Sequence, residues 1–357
     1  MSQALQGWQA AVHEYVKQAS QAEIEQRTSA LTPYVADRDH IGRVDKRLAR
    51  LQERDGMRGA WPARQESAAK LLEVRENGKE VHVTLRMHLK RTLEQSRTAY
   101  VEERFETDRL WLAEDGGRWV IVRIEPEVPE RRPRYGATAL AEMSSMHEHR
   151  VAARRHQPHA FRSQGAGKPA AMPYINDAIL PHFHYRRFSV PYRRDLVVAY
   201  ADRWWNEPNP AYENFEVNCT NYVSQCVFAG HAPMNYTGSR GSGWWYKGRS
   251  GGQELWSFSW AVSNALEAYL AAPRAEGMRA TAVEQPWELQ LGDVIAYDWD
   301  GDGRYQHSTI VTAFDRQGMP LVNANTVASR HRYWDYRDSY AWTERTRYSF
   351  FRIADDF

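Results

Sequence analysis

A stretch between residues 128 and 187 constrains the fold most, because it divides the chain into two parts. It is rich in Pro, Arg, His and Gly, contains Gly165-Ala166-Gly167-Lys168-Pro169, and mostly lacks an apolar period. Such composition is typical of a linker. We therefore predict an accessory domain at residues 1–127, a basic linker at 128–187 and a second domain at 188–357.

The first part changes its hydrophobic period near residue 56. Up to that point apolar residues recur at helical spacing, with an interruption at Thr32-Pro33. From Ser67 onward, short alternating runs are separated by hairpin turns at Asn77-Gly78 and Asp115-Gly116. The pattern predicts an α+β domain with N-terminal helices and an antiparallel sheet, cystatin-like or similar in outline. We predict a partner-binding or positioning role and treat His88 as an ordinary histidine.

Composition restricts the partners. The chain has 47 basic and 45 acidic side chains and a formal net charge of +2, so nothing drives the whole molecule toward nucleic acid. No signal peptide is visible, and no apolar run is long enough to span a bilayer. The compartment stays open between the cytoplasm and export to the cell wall. The arginines of residues 131–162 suit either contact with an anionic polymer or a solvated linker.

The stretch from Asn218 to Gly230 predicts a short helix that begins with a cysteine. Asn218 is a preferred N-cap residue, and Gly230 suits a left-handed position after the helix. Cys219 falls in the first turn, where the helix dipole favours a thiolate and free backbone N–H groups can hold an oxyanion. The alternative is that Cys219 is a small core residue, as we predict for Cys226 on the apolar stripe.

His307 is the best candidate for the base that a cysteine nucleophile needs. It opens a predicted strand, and the next strand carries Asn323 and Asn325 on one face. Either asparagine could orient the imidazole, and the period of two does not choose between them. His307 alone could equally be a turn histidine. The order Cys, His, Asn along the chain favours catalysis.

Alternating acidic residues at Asp298, Asp300 and Asp302 resemble the first half of a calcium-binding EF-hand loop. The twelfth position of such a loop should be a bidentate Glu, and here it is Thr309. The alternative is a tight acidic turn leading into the His307 strand, and the missing ligand favours it. No cofactor is otherwise predicted.

Several motifs of the second part combine into a recognisable pattern: Trp204-Trp205, residues 218–225, Gly243-Trp244-Trp245-Tyr246, Trp256-Ser257-Phe258-Ser259-Trp260, Gly292-Asp293-Val294-Ile295 and Gln306-His307-Ser308. Together they resemble the bacterial "putative amidase domain" family, which is related to CHAP-type and NlpC-type cysteine peptidases and amidases of the cell wall. The resemblance runs from about Tyr192 to Ile353. It implies a papain-like fold with Cys219 as nucleophile, His307 as base and Asn325 as the third residue.

The sequence thus predicts a cysteine-dependent amide hydrolase that acts on peptide or amino-sugar amides of peptidoglycan through a Cys219 thioester. Predicted substrate-binding residues are Asn221, Gln225, Trp244, Trp245 and Trp256. Two alternatives stay open. One is a glycan-binding module of the same fold that stacks sugars on the tryptophans. The other is a transglutaminase-like acyl transferase, in which an amine replaces water.

Overall fold

The computed structural model describes residues 7–131 and 189–357. Residues 7–131, 192–355 and Phe357 belong to one compact unit, while residues 189–191 and Asp356 are assigned to a second unit whose other residues lie outside these ranges. The predictions made for the linker, apart from Arg131, also lie outside them. Within the described ranges, no helix is long and apolar enough to cross a membrane.

Residues 7–131 form two α-helices followed by four antiparallel strands. The elements are α1 Trp8–Glu25, α2 Arg38–Met57, β1 Ala60–Asn77, β2 Glu80–Gln95, β3 Thr98–Asp115 and β4 Arg118–Pro126. Both predicted hairpin turns are present, with positive φ at Gly78 and Gly116. The helices pack on the inner face of the sheet, where every second residue of β2 from Val81 to Leu89 is buried.

Helices precede the sheet in the second part as well. Its elements are α3 Arg194–Trp204, α4 Cys219–Ala229, β5 Tyr246–Ser250, β6 Gln253–Trp256, α5 Phe258–Ala261, α6 Ser263–Ala271, β7 Ala280–Val283, β8 Val294–Asp298, β9 His307–Phe314, β10 Pro320–Ala324, β11 Ser329–Tyr333 and β12 Arg347–Ile353. The α+β class, with an antiparallel sheet and N-terminal helices, is confirmed. The cystatin-like and papain-like outlines stay predictions.

Within the described residues, ten strands from both parts form one sheet, while β5 and β6 pair with each other in a separate two-stranded sheet. Its order is β1-β2-β3-β11-β10-β9-β8-β12-β7, with β4 paired to β3. The two parts meet where β3 pairs with β11, at Arg104 opposite Ser329 and Glu103 opposite Arg330. The backbone N–H of Phe105 also donates to the Ala328 carbonyl at 2.9 Å. Division of the chain at residues 127 and 187 stays a prediction, whereas the described residues on both sides of it share a sheet.

Buried ion pairs reinforce this junction. Asp338, which is 2 % exposed, lies 3.0 Å from Arg332 Nε, and guanidinium nitrogens of Arg104 and Arg54 lie 3.7 and 3.9 Å from it. Burial raises the pKa of Asp338, but the three arginines outweigh burial and hold that pKa well below its ordinary value. An acid of the second part is therefore paired with an arginine of its own part, Arg332, and further stabilised by two arginines of the first, Arg104 and Arg54.

The sheet in the second part has two differently covered faces. Val294, Ala296 and Ile310 belong to the core cluster that contains α3 and α4 residues. Tyr297 and Val311 belong to a separate cluster on the opposite face. Because successive strand residues alternate between faces, a shift of one position decides whether a side chain meets α4.

Candidate functional site

Cys219 is the first residue of α4, and the helix has the bounds that its sequence predicts. Its thiol is free, and the residue is 1 % exposed. The side chain of Asn218 does not cap the helix. Instead, Thr326 Oγ1 accepts the backbone N–H groups of Asn218 at 3.1 Å and of Cys219 at 2.7 Å. The Cys219 N–H is thus already hydrogen-bonded, which corrects the prediction that it is free to hold an oxyanion.

An asparagine network fixes the start of α4. Asn218 Nδ2 donates to Asn325 Oδ1 at 2.7 Å, and Asn325 Nδ2 donates to the carbonyls of Trp204 and Trp205 at 3.0 and 2.9 Å. Asn221 Nδ2 donates to Asn218 Oδ1 at 2.8 Å. Asn325 therefore contacts the residue before the nucleophile candidate. Its amide is engaged there and forms no bond to His307.

The His307 ring lies on the sheet face opposite α4. It is fully buried and packs against Tyr297, Trp299 and Tyr336, with ring centroids 5.4, 5.8 and 5.2 Å away. Among the residues that the structure describes, neither ring nitrogen has a hydrogen-bond partner. Burial, with a smaller effect of Arg332, lowers the pKa of His307 to about 3. The structure does not bring this ring to Cys219.

The neighbour of His307 points the other way. Ser308 Oγ lies 3.3 Å from Thr220 Oγ1 and 2.8 Å from Ser263 Oγ, on the α4 side of the sheet. Ser263 Oγ also donates to the His307 carbonyl at 2.8 Å. The backbone at the start of β9 thus adjoins the helix that carries Cys219. Sequence reasoning missed the contacts of Thr326, Ser308 and Ser263, because a hydroxyl residue carries no distinctive pattern that tells which distant group it meets.

Asn323, the alternative third residue, also contacts other groups. Its Oδ1 accepts from Thr312 Oγ1 and from the His331 backbone N–H, each at 2.8 Å, and its Nδ2 donates to Asp202 at 3.0 Å. His331 has a positive φ of 51°, uncommon for a residue with a side chain. Asn323 therefore stabilises the irregular backbone of strand β11 at His331.

The predicted substrate-binding residues are all buried: Asn221, Gln225, Trp244, Trp245 and Trp256 are at most 3 % exposed. Gln225 Oε1 accepts from Tyr200 OH at 2.7 Å, and Trp244 Nε1 donates to Ser224 Oγ at 3.0 Å. These side chains are core in this structure, so none of them forms an open surface, and their contact with substrate stays a prediction. The dense aromatics of the second part pack against one another, with Trp244 and Trp260 centroids 4.9 Å apart.

The acidic turn is built around one carboxylate. Asp298 accepts backbone N–H groups from Asp300, Gly301, Asp302 and Gly303 at 2.8 to 3.3 Å. Asp300 instead pairs with Arg131 at 3.1 Å. Across residues 7–131 and 189–357, no group of three or more His, Cys, Asp or Glu side chains is arranged to hold a metal ion. The tight-turn interpretation accounts for these contacts, and calcium binding gains no support from them.

Comparison with known proteins gives three similarities. The chain is 53% identical over 165 residues to the uncharacterized protein YhbB of Bacillus subtilis (strain 168), covering 46% of this chain and 51% of that protein. It thus spans about half the length of that relative. A crystal structure of the intermembrane space region of the chloroplast protein ARC6 is 16% identical in sequence to this chain. The match covers 32% of this chain and 90% of that one, with a TM-score of 0.25. Residues 191–351 match the family described as "Putative amidase domain", a match that supports amide hydrolysis as their class of activity at a coarse level.

Proposed function

We propose that residues 191–351 form a cysteine-dependent amide hydrolase with Cys219 as its nucleophile. The position of Cys219 at the first residue of α4 carries this proposal, because a nucleophile there attacks at the positive end of the helix dipole, which stabilises negative charge that develops in the reaction. Cys226 lies seven residues further along the helix in the core, where burial raises its thiol pKa well above the ordinary value. Of the two cysteines, Cys219 is the one suited to attack.

The proposed reaction proceeds through a thioester. The Cys219 thiolate adds to an amide carbonyl, the C–N bond breaks, and the amine leaves with a proton from the base. Water then attacks the thioester, returning the sulfur as thiolate and releasing a carboxylate. One proton of the water goes back to the base and the other to the released amine, which leaves as an ammonium. Atoms and charge balance with water as the only co-reactant.

His307 is the proposed base, and this role requires its ring to turn to the α4 side. Two features support such a turn. His307 is the first residue of β9, so the rearrangement lies at a strand end, where it involves the pairing with Tyr297 and the bond from Ser263 Oγ to the His307 carbonyl. Its ring nitrogens make no hydrogen bond in the present position, so none would be broken. Asn325 is favoured over Asn323 as the third residue, because Asn325 bonds Asn218 beside the nucleophile.

The proposed substrates are peptide or amino-sugar amides of bacterial cell-wall material, on the strength of the resemblance to CHAP-type and NlpC-type enzymes. The test is mass spectrometry of purified muropeptides incubated in H₂¹⁸O with the wild-type chain, Cys219→Ala and the control Cys226→Ala. We expect products from the wild type and Cys226→Ala, each carrying one ¹⁸O in its new carboxylate, and none from Cys219→Ala. Cleavage that persists in Cys219→Ala contradicts the proposal.

Adding a primary amine to the same reaction separates hydrolysis from acyl transfer. If water resolves the thioester, the ¹⁸O-labelled carboxylate stays the main product. If the added amine appears in the product without ¹⁸O, the transglutaminase-like alternative replaces hydrolysis while Cys219 keeps its role.

A further inference from the structure

A cavity of about 40 Å³ lies in the first part of the chain, away from Cys219. Residues of α1, α2 and the inner face of β1 to β3 line it, and Tyr340 from the second part closes one side. Val44, Leu48 and Met87 contribute an apolar wall. A volume of this size holds a few waters or one small polar group.

Five polar atoms around this cavity have no hydrogen-bond partner among the described residues: Glu23 Oε2, His40 Nδ1, Arg47 Nε, Gln65 Oε1 and Gln65 Nε2. Glu23, His40 and Arg47 are 7, 2 and 4 % exposed. A buried polar atom without a partner destabilises the folded protein. So many of them around one cavity indicate that a polar occupant belongs there.

The charges around the cavity are already balanced. Glu23 forms an ion pair with Arg47, and Glu106 pairs with Arg104 at 2.7 Å. Asp108 accepts from Tyr15 OH at 2.9 Å, and burial together with Glu106 raises its pKa to about 7. An ionic occupant would leave a charge uncompensated in a buried site, so a neutral one fits better.

The unpartnered atoms include both donors and acceptors. Arg47 Nε and Gln65 Nε2 are donors, whereas Glu23 Oε2 and Gln65 Oε1 are acceptors. A primary carboxamide offers the complementary set, with an oxygen that accepts two hydrogen bonds and an NH₂ that donates two. Both polar atoms of the Gln65 amide are free to pair with such a group. We propose that this cavity binds a small neutral primary carboxamide, or the carboxamide end of a longer molecule, with Gln65 as its main partner.

Acetamide is the probe for this site. Binding to the full chain is measured by ligand-observed NMR titration, and its position by crystals soaked in acetamide. We expect acetamide to occupy the cavity, and Gln65→Leu, which removes both amide atoms at similar size, to weaken binding roughly tenfold or more through two lost hydrogen bonds. Gln52→Leu, at an exposed position of α2, is the matched control and should bind as the wild type does.

Acetate and ammonium test the chemistry of the occupant. Acetate lacks the NH₂ donors and ammonium lacks an acceptor, so both should bind more weakly than acetamide. A preference for either ion overturns the proposal, as does acetamide binding that Gln65→Leu leaves unchanged. Crystals that show ordered waters alone on the five atoms at high acetamide concentration also overturn it. Gln65→Glu, which keeps shape and replaces the donor by an acceptor, serves if Gln65→Leu does not fold.

Discussion

At the scale of single residues, the position of Cys219 could be predicted and the orientation of His307 could not. The cysteine follows from local signals, since Asn218 and Gly230 mark the helix ends. For His307 the period of two shows that Thr309 and Val311 share its face. Nothing in the sequence says which of the two faces receives α4. That choice depends on packing between segments about 90 residues apart, which no local pattern encodes.

The buried His307 predicts a pH dependence of stability. Its ordinary pKa is 6.5 and its folded pKa is about 3, so below pH 6.5 the unfolded chain binds more protons. Stability attributable to this group is complete above pH 6.5 and falls as the pH drops toward 3. We predict that, between pH 7 and 5, the free energy of unfolding of the wild type falls by about 2 kcal/mol more than that of His307→Phe, whose side chain cannot titrate. Urea denaturation at the two pH values measures it.

The exposed His13→Phe serves as the control and should follow the wild type. Equal pH dependence of the wild type and His307→Phe would show that the folded protein protonates His307 readily. The ring would then not rest in the aromatic pocket formed by Tyr297, Trp299 and Tyr336.

At the scale of elements, hairpins were the easiest features to predict, because turn chemistry is local. Asn77-Gly78 and Asp115-Gly116 place two of them correctly. The strands are longer than the alternating runs predict. β1, for example, extends over 18 residues although most of its side chains are exposed. An exposed strand shows little hydrophobic alternation, so its pairing with β2 rather than its own pattern determines its length.

Thr326 is expected to hold the start of α4, since its hydroxyl accepts two backbone N–H groups. Thr326→Val keeps the shape and removes that acceptor. We predict a loss of about 1–3 kcal/mol in the free energy of unfolding, with faster hydrogen exchange in the first turn of α4. Thr281→Val, at an exposed position of β7, should change little. Unchanged exchange in Thr326→Val would mean that another group caps the helix.

Gly230 ends α4 for a different reason from the one its sequence position predicts. Its φ is −79°, so no left-handed conformation requires glycine. A Cβ atom there would lie 2.3 Å from Val197 Cγ2 and 2.7 Å from Tyr192 Cε2. Gly230→Ala should therefore destabilise the protein by about 1–3 kcal/mol through steric overlap.

Gly42 provides the opposite case, and thermal or urea denaturation compares both glycine variants with the wild type. It lies within α2, and a Cβ atom there meets nothing within 4 Å. Gly42→Ala should stabilise by up to about 1 kcal/mol, because alanine is the better helix former. If Gly230→Ala were as stable as the wild type, α3 and α4 would not pack as closely as described.

At the scale of the whole molecule, the joined sheet was beyond sequence reasoning. Composition marks residues 128–187 as a linker, and the natural inference is two separate domains. Pairing of β3 with β11 joins segments more than 200 residues apart, and the ion pairs around Asp338 depend on that pairing. Long-range strand pairing and buried charge networks leave no local signature in a single sequence.

Asp338→Asn tests whether the buried network holds the two parts together. It removes the carboxylate charge that Arg332, Arg104 and Arg54 share, leaving these buried guanidiniums with one anionic partner fewer. We predict that the free energy of unfolding, measured by urea denaturation at neutral pH, falls by about 3–5 kcal/mol. Asp195→Asn, in an exposed pair with Arg193, should change the stability little. Similar losses in both variants would show that the network contributes little to stability.

The central claim is that Cys219 carries the acyl group during amide cleavage. Its most direct test is acid quenching of the full chain during turnover of a muropeptide, followed by mass spectrometry of the peptides. We predict an acyl adduct on the peptide that contains Cys219, located on that sulfur and removed by neutral hydroxylamine as a thioester is. Cys226→Ala should form the same adduct. Turnover without an adduct on Cys219, continuing at the wild-type rate in Cys219→Ala, would contradict the claim.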